Sequence, residues 1–233
     1  MKTQRTLTWL TAVALAYGLF LAITSPADVV QGQFVRIFYV HVSTAWVAFA
    51  AFGVTLIGSL AWLGFKRPIL DRTAAASAEI GVFFTGLAIM TGMIWGKPVW
   101  GTAWNWGDAR LVSTAVMFFV YVGYLALRRA ISNPIVRANR SAVLGSMAFL
   151  MVPAVYFSVN LWRTLHQGPT IRSDGASMDP AMLSAFLTNL AAFSLLFVVF
   201  LITRTRLELL AESVASAEAS ERHGLAEPDL EML

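Results

Sequence analysis

Residues 37–65 read IFYVHVSTAWVAFAAFGVTLIGSLAWLGF, a run with no acidic, lysine or arginine side chain and a single histidine, His41. A hydrocarbon core about 30 Å thick is crossed by roughly 20 helical residues. The run exceeds that requirement, so either its first turns, which carry His41, project beyond the hydrocarbon or the helix tilts. Outward from it lie further apolar blocks at about 7–23, 73–94, 111–127, 141–160 and 181–203, separated by short polar or basic segments. Composition agrees: 58% of the 233 residues are hydrophobic and 13% charged, against about 45–50% and about 25% in soluble domains. The expected fold is an all-α integral membrane protein, a six-transmembrane-helix bundle over residues 1–206. Residues 207–233 are expected to form a cytoplasmic C-terminal tail, part helix and part disordered.

Met1 to Arg5 and the apolar block after it resemble a signal peptide, but Thr24-Ser25-Pro26-Ala27 is a poor cleavage site and further spans follow, so the block reads as a retained first helix. With six spans both termini share a side. The terminus side then carries 12 of the 17 lysines and arginines; Arg36, Lys97, Arg110, Arg163 and Arg172 fall on the other. That asymmetry predicts cytoplasmic termini. The net charge of +4 and pI near 9.8 reflect these topological clusters and do not point to nucleic acid. Without cysteine, the chain can form no disulfide, thiolate metal site or C-x-x-C-H haem attachment.

The outer face also receives WGKPVWGTAWNWGDARL, residues 95–111, which holds four of the eight tryptophans, Trp95, Trp100, Trp104 and Trp106. Tryptophans offer flat apolar faces with one N–H donor, suited either to the headgroup layer or to a flat aromatic ligand. If this loop is helical, Trp100 and Trp104 share one face. Of the three histidines, His223 lies in the tail, whereas His41 and His166 lie at the outer ends of the second and fifth spans. A histidine pair from separate helices beside an aromatic platform has the geometry needed for two axial ligands of a planar macrocycle. Arg36, Arg110 and Arg163 stand close to these residues in sequence; they suit carboxylates, or could equally snorkel to headgroups.

At this point the residues resemble a family. Trp100-Gly101, Trp104, Trp106 and Asp108 are similar to the WWD signature WGxxWxWD of haem-handling proteins. Arg36-Ile-Phe-Tyr-Val-His41-Val and Asn160-Leu-Trp-Arg-Thr-Leu-His166-Gln-Gly-Pro resemble the blocks around the two outer histidines of the CcmC family of cytochrome c maturation system I. The likeness runs in order from Arg36 to about Ile202. It implies haem b resting transiently against Trp95, Trp100, Trp104 and Trp106, with His41 and His166 as axial ligands of the iron and Asp108, Arg36, Arg110 and Arg163 around it. It further implies delivery to the periplasmic haem chaperone CcmE in c-type cytochrome biogenesis, and the partners CcmA, CcmB and CcmD in the bacterial inner membrane. The implied role is transfer without enzymatic activity of its own; ATP hydrolysis would occur in a partner, and no G-x-x-x-x-G-K-[ST] occurs here.

One departure is visible. Gly107 separates Trp106 from Asp108, and in a helix one extra residue rotates everything after it by about 100°. Two other classes compete. A b-type electron-transfer subunit also pairs histidines, but normally within the membrane. A small-solute permease predicts paired interrupted helices, and Pro153 is the only obvious interruption.

Overall fold

The computed structural model describes residues 2–162, 164–166, 168, 171, 172 and 175–225. Among the described residues there are seven helices: α1 (Lys2–Thr24), α2 (Val35–Phe65), α3 (Pro68–Trp100), α4 (Ala109–Ala130), α5 (Pro134–Ala148), α6 (Met151–Leu161) and α7 (Pro180–Leu225). A two-residue antiparallel pair, β1 (Ile171–Arg172) with β2 (Gly175–Ala176), precedes α7. Taken together, α5 and α6 make one span, so among the described residues six helical segments are long and apolar enough to cross a membrane. The outer surface of the bundle is apolar, with Trp9, Leu10, Val13, Phe20 and Ile23 of α1 and Phe83, Met90 and Ile94 of α3 all exposed. In a bilayer these faces meet lipid, and the protein is a multi-pass membrane protein.

The fifth span breaks at Phe149–Leu150, four residues before Pro153. A proline ring clashes with the carbonyl four residues earlier and has no N–H to give it, which places the break where it is seen. Tight bonds from Leu150 N to Met147 O (3.1 Å) and Val152 N to Phe149 O (2.9 Å) bridge it. No second broken span faces this one among the described residues, so the paired interruptions of a permease are not found there.

Helix α2 is central and packs against α3, α5 and α7, while α1 lies along α7 and α4 against α3, α5 and α6. Lipid is as apolar as leucine, so close backbone approach and hydrogen bonds must drive the α2–α3 contact. Small residues permit that approach, with Ala48, Ala51 and Ser59 on α2 and Ala74, Ala75 and Ala78 on α3 all buried. Ser77 donates to the Ala51 carbonyl at 2.7 Å, and Thr55 reaches the Ala74 carbonyl at 3.3 Å.

The core forms layers along the bundle. A central cluster includes Val47, Phe52, Phe84, Met117, Tyr121 and Phe193, with Phe52 stacked on Tyr121 at 3.6 Å between centroids. Trp62, Ala138 and Ala142 pack at the terminus end. That end is tied by Asp71–Arg128 (2.6 Å), Trp62 Nε1 to Asn139 Oδ1 (3.1 Å) and Gln4 Nε2 to Thr203 Oγ1 (2.9 Å). At the opposite end Val35, Phe38, Tyr39, Trp95, Met182 and Phe186 form a third cluster, of which Phe38, Trp95 and Phe186 line the candidate site.

Several boundaries differ from the sequence expectation. Helix α3 starts at Pro68 and continues through Gly96 and Pro98 to Trp100, where Gly101 ends it at φ 76°, a left-handed cap that a side-chain-bearing residue adopts only with strain. Helix α5 begins at Pro134, because Asn133 caps it by accepting from the Ile135 and Val136 N–H groups. Helix α7 runs without a break through residue 206 to Leu225; residues 226–233 lie outside the described residues.

Candidate functional site at the outer helix ends

The 95–111 stretch divides into three parts. Trp95 and Trp100 belong to the last turns of α3, residues 101–107 form an irregular connection, and Asp108 caps α4. The loop is therefore not helical, and Trp100 and Trp104 do not share a helix face. Gly107 is absorbed by a turn: its N–H donates to Asn105 Oδ1 (2.8 Å), and the Asp108 N–H donates to the Asn105 carbonyl (3.1 Å). The extra residue thus lengthens the connection without rotating a helix.

His41 sits nearly two turns into α2, against Gly92 of α3. A Cβ at residue 92 would stand 2.9 Å from the imidazole Cε1, so only glycine lets the ring lie there. Its Nδ1 is 3.0 Å from the Ala88 carbonyl and 3.2 Å from Thr91 Oγ1. A carbonyl oxygen can only accept, so Nδ1 carries the proton and Nε2 keeps a free lone pair. An imidazole oriented in this way is prepared to ligate a metal.

His166 comes from the irregular segment after α6, held from below by Asp108. The Asp108 carboxylate is 2% exposed. Its Oδ1 accepts from the Leu111 N–H (3.0 Å), capping α4, while its Oδ2 accepts from Thr164 Oγ1 (2.7 Å) and the Leu165 N–H (2.6 Å). Burial alone would raise this carboxyl, but the hydrogen bonds from Leu111, Leu165 and Thr164 outweigh it and hold the pKa below the usual value. Oδ1 also faces His166 Nδ1 at 3.8 Å, an electrostatic contact longer than a hydrogen bond. Burial, reinforced by the nearby Arg110 guanidinium, lowers the His166 pKa to about 4, so at neutral pH its imidazole is uncharged.

Two indole rings join the histidines. His41 lies 5.6 Å from Trp95, Trp95 5.5 Å from Trp100, and Trp100 4.9 Å from His166, measured between ring centroids. All four rings line one cavity of about 250 Å³, together with Gln31, Phe38, Arg110, Met117, Tyr156 and Phe186 among others. Gln31 Oε1 accepts from Trp95 Nε1 at 3.2 Å and fixes that indole. The Arg110 guanidinium has no hydrogen-bonding partner among the described residues, so a cation stands at the cavity wall beside two neutral imidazoles and apolar rings.

The amino-acid sequence that builds this arrangement matches a family of known proteins. A family model described as heme exporter protein C matches residues 1–220. The chain belongs to that family. It is 40% identical over 228 residues to heme exporter protein C of Bradyrhizobium diazoefficiens, covering 96% of this chain and 86% of the relative. With the Escherichia coli K12 heme exporter protein C it shares 37% identity over 182 residues, 78% of this chain and 73% of the relative. A putative cytochrome c biosynthesis ccmC-like mitochondrial protein of Arabidopsis thaliana is 36% identical over 222 residues, 94% of this chain and 84% of the relative.

Not every residue expected at the site reaches the cavity. His41, His166, Trp95, Trp100 and Arg110 line it, and Asp108 lies beneath. Trp104 and Trp106 pack edge-to-face on each other at 5.4 Å, away from the cavity lining, with Trp106 80% exposed. Arg36 turns to the Ser25 carbonyl (3.3 Å). Arg163 lies outside the described residues. Sequence reasoning passed over Gln31, Ala88, Thr91, Gly92 and Thr164, which orient the rings and the carboxylate clamp of this heme exporter protein C family member.

Proposed function

We propose that this chain binds haem b as cargo between His41 and His166 and hands it to the periplasmic chaperone CcmE during c-type cytochrome maturation. The observation that carries the reading is that two imidazoles from separate segments line one cavity, each with its Nδ1 side turned to a protein acceptor and its Nε2 without a protein partner among the described residues. Family membership supports a haem-handling role over electron transfer. The donor set fits the cargo: two neutral nitrogen ligands for iron, the faces of Trp95 and Trp100 for the macrocycle, and the Arg110 guanidinium, without a hydrogen-bonding partner among the described residues, for a propionate.

A cavity of about 250 Å³ lies below the range of roughly 300–1,000 Å³ of pockets that enclose a drug-sized ligand. A macrocycle seated in it keeps an edge outside, where the exposed Trp106 and its partner Trp104 offer a docking surface for the acceptor. Release requires that the partner weaken one of the ligands. The chain acts in a cytochrome c maturation system with CcmA, CcmB and CcmD, with ATP hydrolysis in CcmA, its termini in the cytoplasm and the histidines on the periplasmic side of the inner membrane.

The test is the absorption spectrum of the purified protein beside His41→Ala and His166→Ala variants. Each variant is expected to lose haem or to shift from the spectrum of two nitrogen ligands. Unchanged haem content and spectra in both would overturn the reading.

A further inference from the structure

At the terminus end of the bundle, away from the histidines, α3, α4, α5 and α7 enclose a second cavity of about 830 Å³. Five arginines line it, Arg72, Arg128, Arg129, Arg137 and Arg204, against three carboxylates, Asp71, Glu79 and Glu208. The carboxylates are engaged: Asp71 holds Arg128 through both oxygens (2.6 and 2.8 Å), and Glu79 and Glu208 both pair with Arg204. Arg129 and Arg137 have no carboxylate partner among the described residues, and the buried Nε of Arg137 makes no hydrogen bond. Two positive charges are left over in a cleft that reaches from Asp71 to Glu79 along α3, about 12 Å at the helical rise.

An apolar groove of about 490 Å³ runs along one face of α4, over Val122, Leu125, Ala126, Arg129 and Ala130. It meets the arginine cavity at Leu125 and Arg129, which line both. Uncompensated guanidinium groups at the end of the spans, in the last turn of α4 and the first of α5, attract an anion at the membrane surface, and an anion with an apolar chain attached would fill the cavity and the groove together. Basic pockets between spanning helices have the chemistry to hold anionic headgroups.

We propose that this cavity and groove form a binding site for an anionic phospholipid, its phosphate held by Arg129 and Arg137 and one acyl chain lying along α4. The site is independent of the haem reading. The proposal accounts for the unsatisfied Arg137 Nε and for the joining of a charged pocket to an apolar channel on the lipid-facing side of a helix. An acidic protein segment would satisfy the arginines but would leave the α4 groove empty.

The full-length protein in detergent, titrated in native mass spectrometry with phosphatidylglycerol, with phosphatidylcholine of the same chains and with inorganic phosphate, tests this. Phosphatidylglycerol is expected to bind at least about tenfold tighter than phosphatidylcholine, and the Arg129→Gln/Arg137→Gln double variant to lose that advantage, given what arginines contribute near anionic headgroups. Ala126→Phe, which fills the groove and leaves the arginines in place, should weaken phosphatidylglycerol binding severalfold and serves if the double variant does not fold. Equal binding of the two lipids, or full retention of phosphatidylglycerol by either variant when folded, overturns the proposal. Displacement of the lipid by millimolar inorganic phosphate overturns it also, because it assigns the site to a free anion.

Discussion

The Asp108 carboxylate stands 3.8 Å from Nδ1 of His166 while holding the two residues before that histidine, Thr164 and Leu165, by hydrogen bonds of 2.7 and 2.6 Å. One side chain therefore both caps α4 and carries the segment that presents the imidazole. Removing it as Asp108→Ala costs a cap worth about 1 kcal/mol and leaves buried donors unsatisfied at about 1–3 kcal/mol each. The expected outcome is severe loss of haem from the purified protein. Asp108→Asn, which keeps an acceptor, should lose less. Haem per protein, measured by pyridine haemochrome absorbance, checks the order; equal retention in wild type and Asp108→Ala would contradict it.

Gly92 supplies a second lever. With a Cβ only 2.9 Å from the His41 ring, Gly92→Ala must displace either that imidazole or α3. Helical content, read by circular dichroism, should stay near wild type, while the Soret band should weaken or move toward that of His41→Ala. A spectrum identical to wild type would mean that the ring position is unimportant for the cargo.

Acid should act late on His166. The unfolded chain takes up a proton on this imidazole near pH 6.5, and the folded protein only near 4. Between those values the unfolded state binds more protons, so acidification from 6.5 to 4 favours unfolding of the segment. The imidazole itself stays neutral and able to ligate until about pH 4. Haem binding followed by Soret absorbance should thus hold from pH 8 to about 5 and fall as pH approaches 4. A midpoint near 6.5 would show that the ligand is an ordinary exposed histidine.

The Asp71–Arg128 pair stands mostly out of solvent, with side chains 11% and 12% exposed. Breaking it through Asp71→Ala strands a guanidinium and should cost about 3 kcal/mol, seen as a lower unfolding temperature of the detergent-solubilised protein. Replacing both partners by apolar residues should recover much of that loss. A double variant no more stable than Asp71→Ala would argue against an uncompensated charge as the cause.

The six spans could be read directly, because an apolar run such as 37–65 has one use in so charge-poor a chain. Their ends could not. Pro98 looks like a helix stop, yet in the last turn of α3 it costs a single bond and the helix continues to Trp100. Asn133-Pro134 has the form of a cap followed by an N1 proline, yet it lies among Arg128, Arg129, Arg137 and Arg140, and the apolar block that marks the span begins only near residue 141. At the site, the histidines and tryptophans stood out by type and spacing. The Ala88 carbonyl and the Gly92 gap did not, since a carbonyl acceptor and a missing Cβ on a different helix have no signature in the order of residues. Asp108 stands out in the sequence as a candidate through its place after the tryptophans, whereas its contacts with Thr164 and Leu165 reach across more than fifty positions.

The two imidazoles are mounted differently. His41 is built into a continuous helix, with its ring pinned against the backbone of a neighbouring one; His166 rides on irregular chain that, among the described residues, is hydrogen-bonded to the bundle through a single carboxylate and touches the Trp100 ring. Local opening costs least where few buried contacts must be given up. The protein thus has a fixed jaw and a hinged one; with haem seated between them as proposed, an acceptor that pulled at the Thr164–His166 segment would loosen the cargo on one side without disturbing the bundle that holds the other.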